Sequence, residues 1–552
     1  MNARERKIMK NERKLNNAGK ISVGVIIAIA VVAVLGLCWI VSGKFSKSMH
    51  KTFDSPKKYM AYVEKQAILG KKDNTMRSIY NNLSNQVTTE NQAVEEQVTL
   101  TIGEAGQSYL RLLKSTGVDL TWLNSAGMKY SVNVKDHDVE MTTALVLNEK
   151  EIIEPTFILD SKKKAVYAKI PELTKDCIKY DLEKYAEQFD ELLAKADKMR
   201  IAYPDIKMMD KLADKYVKLV LDGVENVEKD KAELECGDVS QKCTVLRATI
   251  KEKDIKSIIK TVCKEATKDE DLKKLYTDMC KAMELKDYDE VYDRLKESLT
   301  DLAEKIEDRE FGLNKVVIEL YVDGDGRIVG RNYKIVPEKG DELVVKIGKA
   351  TKGSNVGFEA SVKYGEMTGK LSGTGKLKSG KLSGDYSLKV NGEKVLKVSV
   401  EKFDQNAWDD GYLKGHFTFA PEGDLGDLLE EADFLPRRVQ REIDGYSDML
   451  SSMAGSIEPS LDLIVDTSEK KHLIDIGILN HDEEVFRIAF QGTMKSASKV
   501  KVPSKAIDVT ESADMKDFVD GLDLDKILDA LDNAEVPKEY REMIGSMFKR
   551  LR

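Results

Sequence analysis

The sequence predicts an α+β fold: a long antiparallel meandering sheet with helices packed on it, preceded by one transmembrane helix. Three observations predict it. Ile21 to Ser42 is a run of 22 residues without one charge. As a helix it would span roughly 33 Å at 1.5 Å per residue, close to the ~30 Å hydrocarbon core of a bilayer. Downstream, segments that alternate apolar and polar residues follow one another across short polar turns, the pattern of antiparallel strands. Helical stripes are grouped between and after those segments, whereas parallel crossovers would need strand and helix to alternate.

The flanks of the apolar run set its expected orientation. Residues 1–20 carry seven basic residues, Arg4 to Lys20, against Glu5 and Glu12, and Lys44, Lys47 and Lys51 follow the run. The positive-inside bias then puts the N-terminus in the cytoplasm and the remainder of the chain outside, in a single-pass protein of the cell membrane whose bilayer contact is residues 21–42. Two processing alternatives fit less well. A cleaved signal peptide has an apolar region of about 7 to 15 residues and a small-x-small site, whereas this run is longer and offers only Val41 and Gly43. Lipid attachment at Cys38 would want a small residue before the cysteine, where Leu37 stands.

Beyond the run, Pro56 opens a helix carrying Tyr59, Tyr62, Val63 and Ala67, and a second helical stretch passes through Ile79 and Leu83. From Val94 to Ile170 the period is two, in QVTLTI, KYSVNV, VEMTTALVL, EIIEPTFIL and AVYAKI, with one short helix around Tyr109 to Leu113. Helical stripes follow, from Leu182 through Tyr185, Phe189, Leu192 and Ala196 to Met199 and from Tyr288 to Ile306, with a hairpin between them at ELEC and TVLRATI. Such stripes mark core-facing helix faces. From Leu313 strands return as VVIELYV, RIVGRNYKIV, ELVVKI, VGFEASVKY, a glycine-rich span, DYSLKV, VLKVSV and HFTF. Helices are expected around Leu425 to Met453, then LDLIV, HLIDIGIL and FRIAF, then C-terminal helices. Roughly fourteen strands result. The expected organisation is a basic tail 1–20, the membrane helix 21–42, an α+β half 43–310, and a β-meander half 311–552 with C-terminal helices; the two halves could share one sheet.

Charge bounds the partners. The chain carries −8 overall, +5 in its first 20 residues and −13 beyond them. An acidic body argues against nucleic acid as a partner. Five histidines, scattered, leave little material for a metal site, and no cofactor motif is complete.

Outside the apolar run stand Cys177, Cys236, Cys243, Cys263 and Cys280, an odd number, so one thiol at least stays unpaired within the chain. In an exported domain the favoured disulfides are Cys236 with Cys243, across CGDVSQKC, and Cys263 with Cys280, between neighbouring helices. Loops of ~8 and ~18 residues would give roughly 2.5 and 3 kcal/mol. Four buried free thiols are the alternative. Zinc would want C-x₂₋₄-C or paired histidines, and neither occurs.

Four motifs invite chemistry and find simpler readings. GKLSGTGKLKSGKLSG, Gly369 to Gly384, spaces Gly375 and Gly380 before Lys381 like a phosphate loop, but Leu382 stands where Ser or Thr would hold magnesium. Lysine and serine between glycines suit solvated, twisted strands or a bulged hairpin. In YVDGDGRIVGRN, aligning Asp323, Asp325 and Gly326 with a calcium loop puts Tyr321 and Asn332 at positions that need carboxylates, and a tight turn explains Gly324 and Gly326. S-x-x-K at Ser161, Ser257, Ser468 and Ser496 is what 88 basic residues produce by chance. His472 and Asp475 fall on opposite faces of one strand and His481 in the next turn, so a histidine site would need distant segments. Trp408, in NAWDDGY, sits in a polar turn as a ligand contact or, more commonly, packed over a sheet edge. Trp122 is the other tryptophan outside the apolar run.

FILDSKKKAVYAKIPEL beside IELYVDGDGRIVGRNYKIV, each strand, acidic turn, strand, resembles the curved half-barrel of bacterial lipoprotein carriers and mycobacterial lipid-binding lipoproteins. The basic tail, apolar run, AVYAKIPELTKDCIKYDL and second meander together resemble uncharacterised single-pass surface proteins of Gram-positive bacteria. The resemblance implies a half-barrel-like sheet and an apolar pocket between sheet and helices. It departs in length, about twice one such domain, and in keeping the apolar run, which argues against a shuttling carrier. The first expectation for function is therefore non-enzymatic binding of a lipid, a cell-wall component or an envelope protein. The alternatives are an envelope hydrolase with an unrecognised site and a structural or sensory anchor.

Overall fold

The structure, a computed structural model, describes residues 55–69, 78–79, 81–82, 91–115, 117–188, 190, 206–282, 288–422, 459–510 and 512–551. They contain twenty-one strands in two compact units, residues 1–82 with 204–457 and residues 83–203 with 458–552.

In chain order the elements are α1 (Pro56–Leu69), β1 (Gln92–Ile102), α2 (Glu104–Lys114), β2 (Ser125–Lys135), β3 (Asp138–Leu147), β4 (Lys150–Ile153), β5 (Thr156–Asp160), β6 (Ala165–Lys169) and β7 (Cys177–Asp181). Next come α3 (Ile206–Asp222), β8 (Asn226–Cys236), β9 (Val239–Lys251), α4 (Glu252–Ala266), α5 (Glu270–Ala282) and α6 (Tyr288–Lys305). A run of strands follows: β10 (Leu313–Val322), β11 (Ile328–Pro337), β12 (Leu343–Lys352), β13 (Asn355–Tyr364), β14 (Met367–Lys378), β15 (Lys381–Val390) and β16 (Glu393–Asp404). After α7 (Gln405–Asp409) stand β17 (Lys414–Pro421), β18 (Pro459–Thr467), β19 (Lys471–Asn480), β20 (Glu483–Ser496) and β21 (Ile507–Asp508), then α8 (Ser512–Asp520), α9 (Asp525–Asn533) and α10 (Lys538–Leu551).

The larger unit holds an antiparallel meander in which each strand from β8 to β17 pairs with the next. Alternation explains its faces. In β10, Ile318, Leu320 and Val322 join Leu246, Ala248, Met60 and Val63 in a core under α1, while Glu319 on the other face accepts from Arg247 Nε and Asn332 Nδ2, both at 2.7 Å. A second core gathers Phe358, Leu371, Leu382, Tyr386, Val398 and Phe403. Among the helices, Asp269 starts α5 by accepting from the Asp271 and Leu272 amides at 3.0 and 3.2 Å, a side-chain cap of the kind a helix N-terminus needs.

In the smaller unit the strand sequence is β18–β19–β20–β1–β2–β3–β5–β6–β7, with β4 also on β3. β21 closes the list by pairing parallel to β7, Ile507 opposite Ile178. Several hairpins turn through two residues with positive φ, such as Asp136–His137, Asn148–Glu149 and His481–Asp482. These are turns whose twist matches that of the strands. Helix α9 packs Ile527 and Leu531 on Ile152 and Leu173.

Three expectations are corrected. The fold class is not a purely antiparallel meander of roughly fourteen strands: the strand pairing is mixed, because β21 returns parallel to β7, and the described residues form twenty-one strands. Among the described residues no helix is long and apolar enough to cross a membrane. The helices are amphipathic, and the longest, α6, carries charges throughout YDEVYDRLKESLTDLAEK. The run Ile21–Ser42 lies outside the described residues, as do the tail 1–20, Cys38, the stripe residues Phe189, Leu192, Ala196 and Met199, and Leu425 to Met453.

The expected disulfides are absent as well: Cys177, Cys236, Cys243, Cys263 and Cys280 are free thiols. The reason is register. Cys236 pairs with Val239 and Cys243 with Ala232, so the two cysteines stand four positions apart along the hairpin, roughly 13 Å at 3.3 Å per residue. A disulfide needs Cα atoms within about 7 Å. Cys263 lies near the end of α4 beside the short turn, whereas Cys280 lies in the last turn of α5, about 15 Å along that helix from its start. Burial pushes the Cys236 thiol up to about 12 and Cys243 to about 11, well above the range in which a thiol reacts as thiolate at neutral pH.

α1 is fastened to the meander by a buried ion pair. Arg331 donates from Nη1 and Nη2 to the two carboxylate oxygens of Glu64 at 2.5 and 2.7 Å, and from Nη1 to Tyr333 Oη at 3.3 Å. Both residues are 8% exposed. Removing one partner would strand a buried charge, which costs about 3–5 kcal/mol, while replacing both with apolar residues is often neutral. Glu64→Ala is therefore expected to lower unfolding free energy by about 3–5 kcal/mol in urea denaturation, and the double variant Glu64→Met/Arg331→Met by far less. Peptide mass mapping after iodoacetamide labelling of the unfolded, unreduced protein is expected to find all five described cysteines alkylated.

Candidate functional site

The feature that stands out in the smaller unit is one row of residues across six strands. Thr467 pairs with His472, His472 with Gly492, Gly492 with Glu96, Glu96 with Tyr130, and Tyr130 with Thr143. Because side chains alternate faces along each strand, residues directly opposite one another in register share one face. The row is polar. Its neighbours are not.

Two residues to one side, the same registers carry Val465, Ile474, Phe490, Val98, Met128 and Leu145. On the other side they carry Met494, Val94, Val132, Met141 and Phe157. Met128, Leu145, Met141, Phe157, Ile474 and Phe490 are all 37–45% exposed. Large apolar side chains left open on one face in this way are what a ligand or partner surface presents. The reverse face of β1, β2 and β20 carries Gln97, Thr99, Lys129, Ser131 and Thr493, and on β3 it carries the buried Ala144 and Val146. There Arg487 donates to Glu484, Asp475 and Asp462 at 2.6, 2.9 and 3.0 Å.

Glycine makes the polar row possible. A Cβ on Gly492 would lie 2.3 Å from His472 Cε1. The imidazole thus occupies the space a side chain on β20 would fill, and its Nε2 reaches Glu96 Oε1, two strands away, at 3.4 Å. From the other side the Tyr130 hydroxyl donates to Glu96. One carboxylate therefore stands between an imidazole and a phenol, with apolar rows above and below. The hydrogen bond to Glu96, then desolvation and the negative charge of Glu96, hold the Tyr130 phenol above its ordinary range, because each favours the neutral, donating form. This arrangement can anchor a polar group, through an acceptor or a donor, while its surroundings take hydrocarbon.

The residues singled out from sequence fall elsewhere or take other roles. Asp475 faces Arg487 on the reverse side, and His481 lies in the β19–β20 turn. Asp323 spends its carboxylate on its own turn, accepting from the Asp325 and Arg327 amides, both at 2.9 Å. Trp408 is buried in the second core, its ring 6.2 Å from that of Phe403. Asp404 caps the short α7 through the Asn406 and Ala407 amides and so turns the following indole inward. Trp122 packs against Tyr540 at 6.1 Å. The GKLSG span is the β14–β15 hairpin, with the Tyr386 ring over Gly373, where a Cβ would meet its Cδ1 at 2.7 Å. Glu96 and Tyr130 were not singled out. The signal for them was a mid-strand glycine, Gly492, in a strand otherwise rich in large residues.

The pH behaviour of the row is testable. Glu96→Gln removes the charge that opposes phenolate formation, so Tyr130 is expected to ionise at lower pH than in the unaltered protein, moving towards 10. The difference in absorbance at 295 nm between the two proteins on alkaline titration measures it, and Tyr130→Phe/Glu96→Gln should abolish the difference. Compared with known protein families and with curated proteins, the chain matches none.

Proposed function

We propose that this protein is a non-enzymatic binding protein and that its ligand is an amphipathic, lipid-like molecule lying on the face that carries Phe490, Met128, Leu145 and Met141. The observation that carries the reading is the pairing of two apolar rows, six of whose residues are more than a third exposed, with a single polar row between them. Small-molecule sites are mostly apolar surfaces with a few placed polar groups that fix orientation. Glu96, His472 and Tyr130 are those groups, and the flanking rows supply contact for a chain of methylenes at about 0.8 kcal/mol for each CH₂ buried.

The test uses the full chain and cis-parinaric acid, whose fluorescence rises in an apolar environment. Binding is expected, and Phe490→Asp and Met128→Asp are each expected to weaken it by about tenfold or more, since one such charge opposes hydrocarbon contact by at least ~1.4 kcal/mol. Both positions are more than a third exposed, so the variants should keep the unaltered melting temperature. No fluorescence change with the unaltered protein, or unchanged affinity in both variants, would reject the reading.

A further inference from the structure

The larger unit carries a second surface with a different chemistry. The tip of the β14–β15 hairpin, the bulge in β16 and the tip of the β8–β9 hairpin enclose a groove of about 670 Å³ lined by Lys376, Lys378, Lys381 and Lys402 with Thr374 and Ser383. Register explains the convergence. Lys376 is opposite Ser383, and Lys378 is opposite Lys381, on the face away from Leu371, Leu382 and Tyr386 of the second core. Lys402 joins them because β16 bulges. The register slips between Leu382 and Gly384, Lys402 adopts φ +52°, and its amide donates to Ser383 Oγ at 2.9 Å. With that bond accepted, the Ser383 hydroxyl keeps its own proton for another acceptor.

The four ammonium groups meet in one groove, and carboxylates elsewhere on the meander pair with other lysines. On the same meander Lys370 pairs with Glu359 at 2.8 Å, Lys334 with Glu342 at 2.7 Å, and Lys394 with Glu422 at 3.5 Å. Lys376, Lys378, Lys381 and Lys402 form no ion pair among the described residues. Two of them, Lys378 and Lys381, are like charges directly opposite in an antiparallel pair, an unfavourable arrangement. In a chain with net charge −8, carboxylates to neutralise them are plentiful. Two acidic residues, Asp238 and Asp385, also line the groove, and Asp385 is held by Ser399 Oγ at 2.6 Å and by Lys397 at 3.8 Å.

We propose that this groove binds a linear chain of phosphate groups. Several lysines spaced along a groove, with the hydroxyls of Thr374 and Ser383 among them, match successive anionic groups better than one ion. Lysine is a strong phosphate partner. No aromatic ring lines the groove, so it lacks the stacking platform that single-stranded nucleic acid uses, and the phosphate chain is the part recognised.

The probe is inorganic tripolyphosphate, titrated calorimetrically into the full chain, with orthophosphate and phosphatidylglycerol vesicles as comparison arms. Tripolyphosphate is expected to bind more tightly than orthophosphate, with an affinity that falls as salt rises. Lys376→Gln/Lys402→Gln is expected to weaken it by about tenfold or more and to reduce the salt slope by roughly two. Lys378→Gln/Lys381→Gln, from the other end of the groove, should do the same. All four lysines are exposed, and unchanged far-ultraviolet dichroism would show that both variants fold. Failure of the unaltered protein to bind tripolyphosphate, or unaltered binding in both double variants, overturns the proposal. Vesicle binding without tripolyphosphate binding also overturns it and assigns the lysines to a lipid headgroup surface. None of these outcomes touches the Phe490 face, so this test and that of the fatty acid site succeed or fail separately.

Discussion

Antiparallel register is the constraint on which the rest depends. Once each strand is paired with its neighbour, every second residue is committed to one face, and a slip of one position would exchange the faces entirely. In the smaller unit that commitment separates the row of His472, Glu96 and Tyr130, with its apolar flanks, from the ion cluster of Arg487, Asp462, Asp475 and Glu484 on the reverse side. In the larger unit the same rule sends Leu371, Leu382 and Tyr386 into a core and Lys376, Lys378 and Lys381 away from it. The two-residue turns with positive φ hold the register, because their length leaves no slack for a slip.

Where side chains meet that alternation alone would not bring together, a glycine or a bulge makes the room. His472 and Glu96 are two strands apart, too far for an ordinary pair of cross-strand neighbours, and Gly492 between them gives up its side chain so that the imidazole can cross. Lys402 reaches the lysine groove through a bulge, a device that re-aims a side chain without moving the strand. Each departure costs local stability: a mid-strand glycine loses packing and backbone entropy, and a non-glycine residue at positive φ is strained. Burial of apolar side chains elsewhere offsets these costs, as in the core beneath α1 and the second core around Phe358 and Tyr386.

Legibility in the sequence followed the range of the interaction. The alternation in VVIELYV is local, and Ile318, Leu320 and Val322 do face one core while Glu319 faces the other way. Nearness in sequence misled for the cysteines. Cys236 and Cys243 are seven residues apart and on adjoining strands, but a two-residue turn puts Val239, not Cys243, opposite Cys236. Trp408 sits among polar residues, and only the cap by Asp404 and the short helix after it turn the indole into the core. The partner of His472 was out of reach, since Glu96 lies nearly four hundred residues earlier and meets it through two registers that no local pattern encodes. The same holds for the lysines. Their spacing in GKLKSGKLSG reads as a solvated hairpin, and what distinguishes them, their meeting with Lys402 in one groove, depends on the bulge of the neighbouring strand.

The polar row also limits what can cover the apolar face. A plain hydrocarbon surface laid across Phe490, Met128 and Met141 would bury Glu96 with them, since the rows are only two residues apart on every strand. Desolvating a carboxylate without a matching charge or donor costs several kcal/mol at least, enough to cancel the burial of two or three large side chains at about 1.5–3 kcal/mol each. His472 and Tyr130 supply part of the compensation, one from each side of the carboxylate. An occupant that adds a polar group at the row while laying hydrocarbon on either side avoids the penalty and keeps the gain. A wholly apolar occupant would carry the penalty, so on the proposed reading the spacing of the three rows would favour a molecule with both characters.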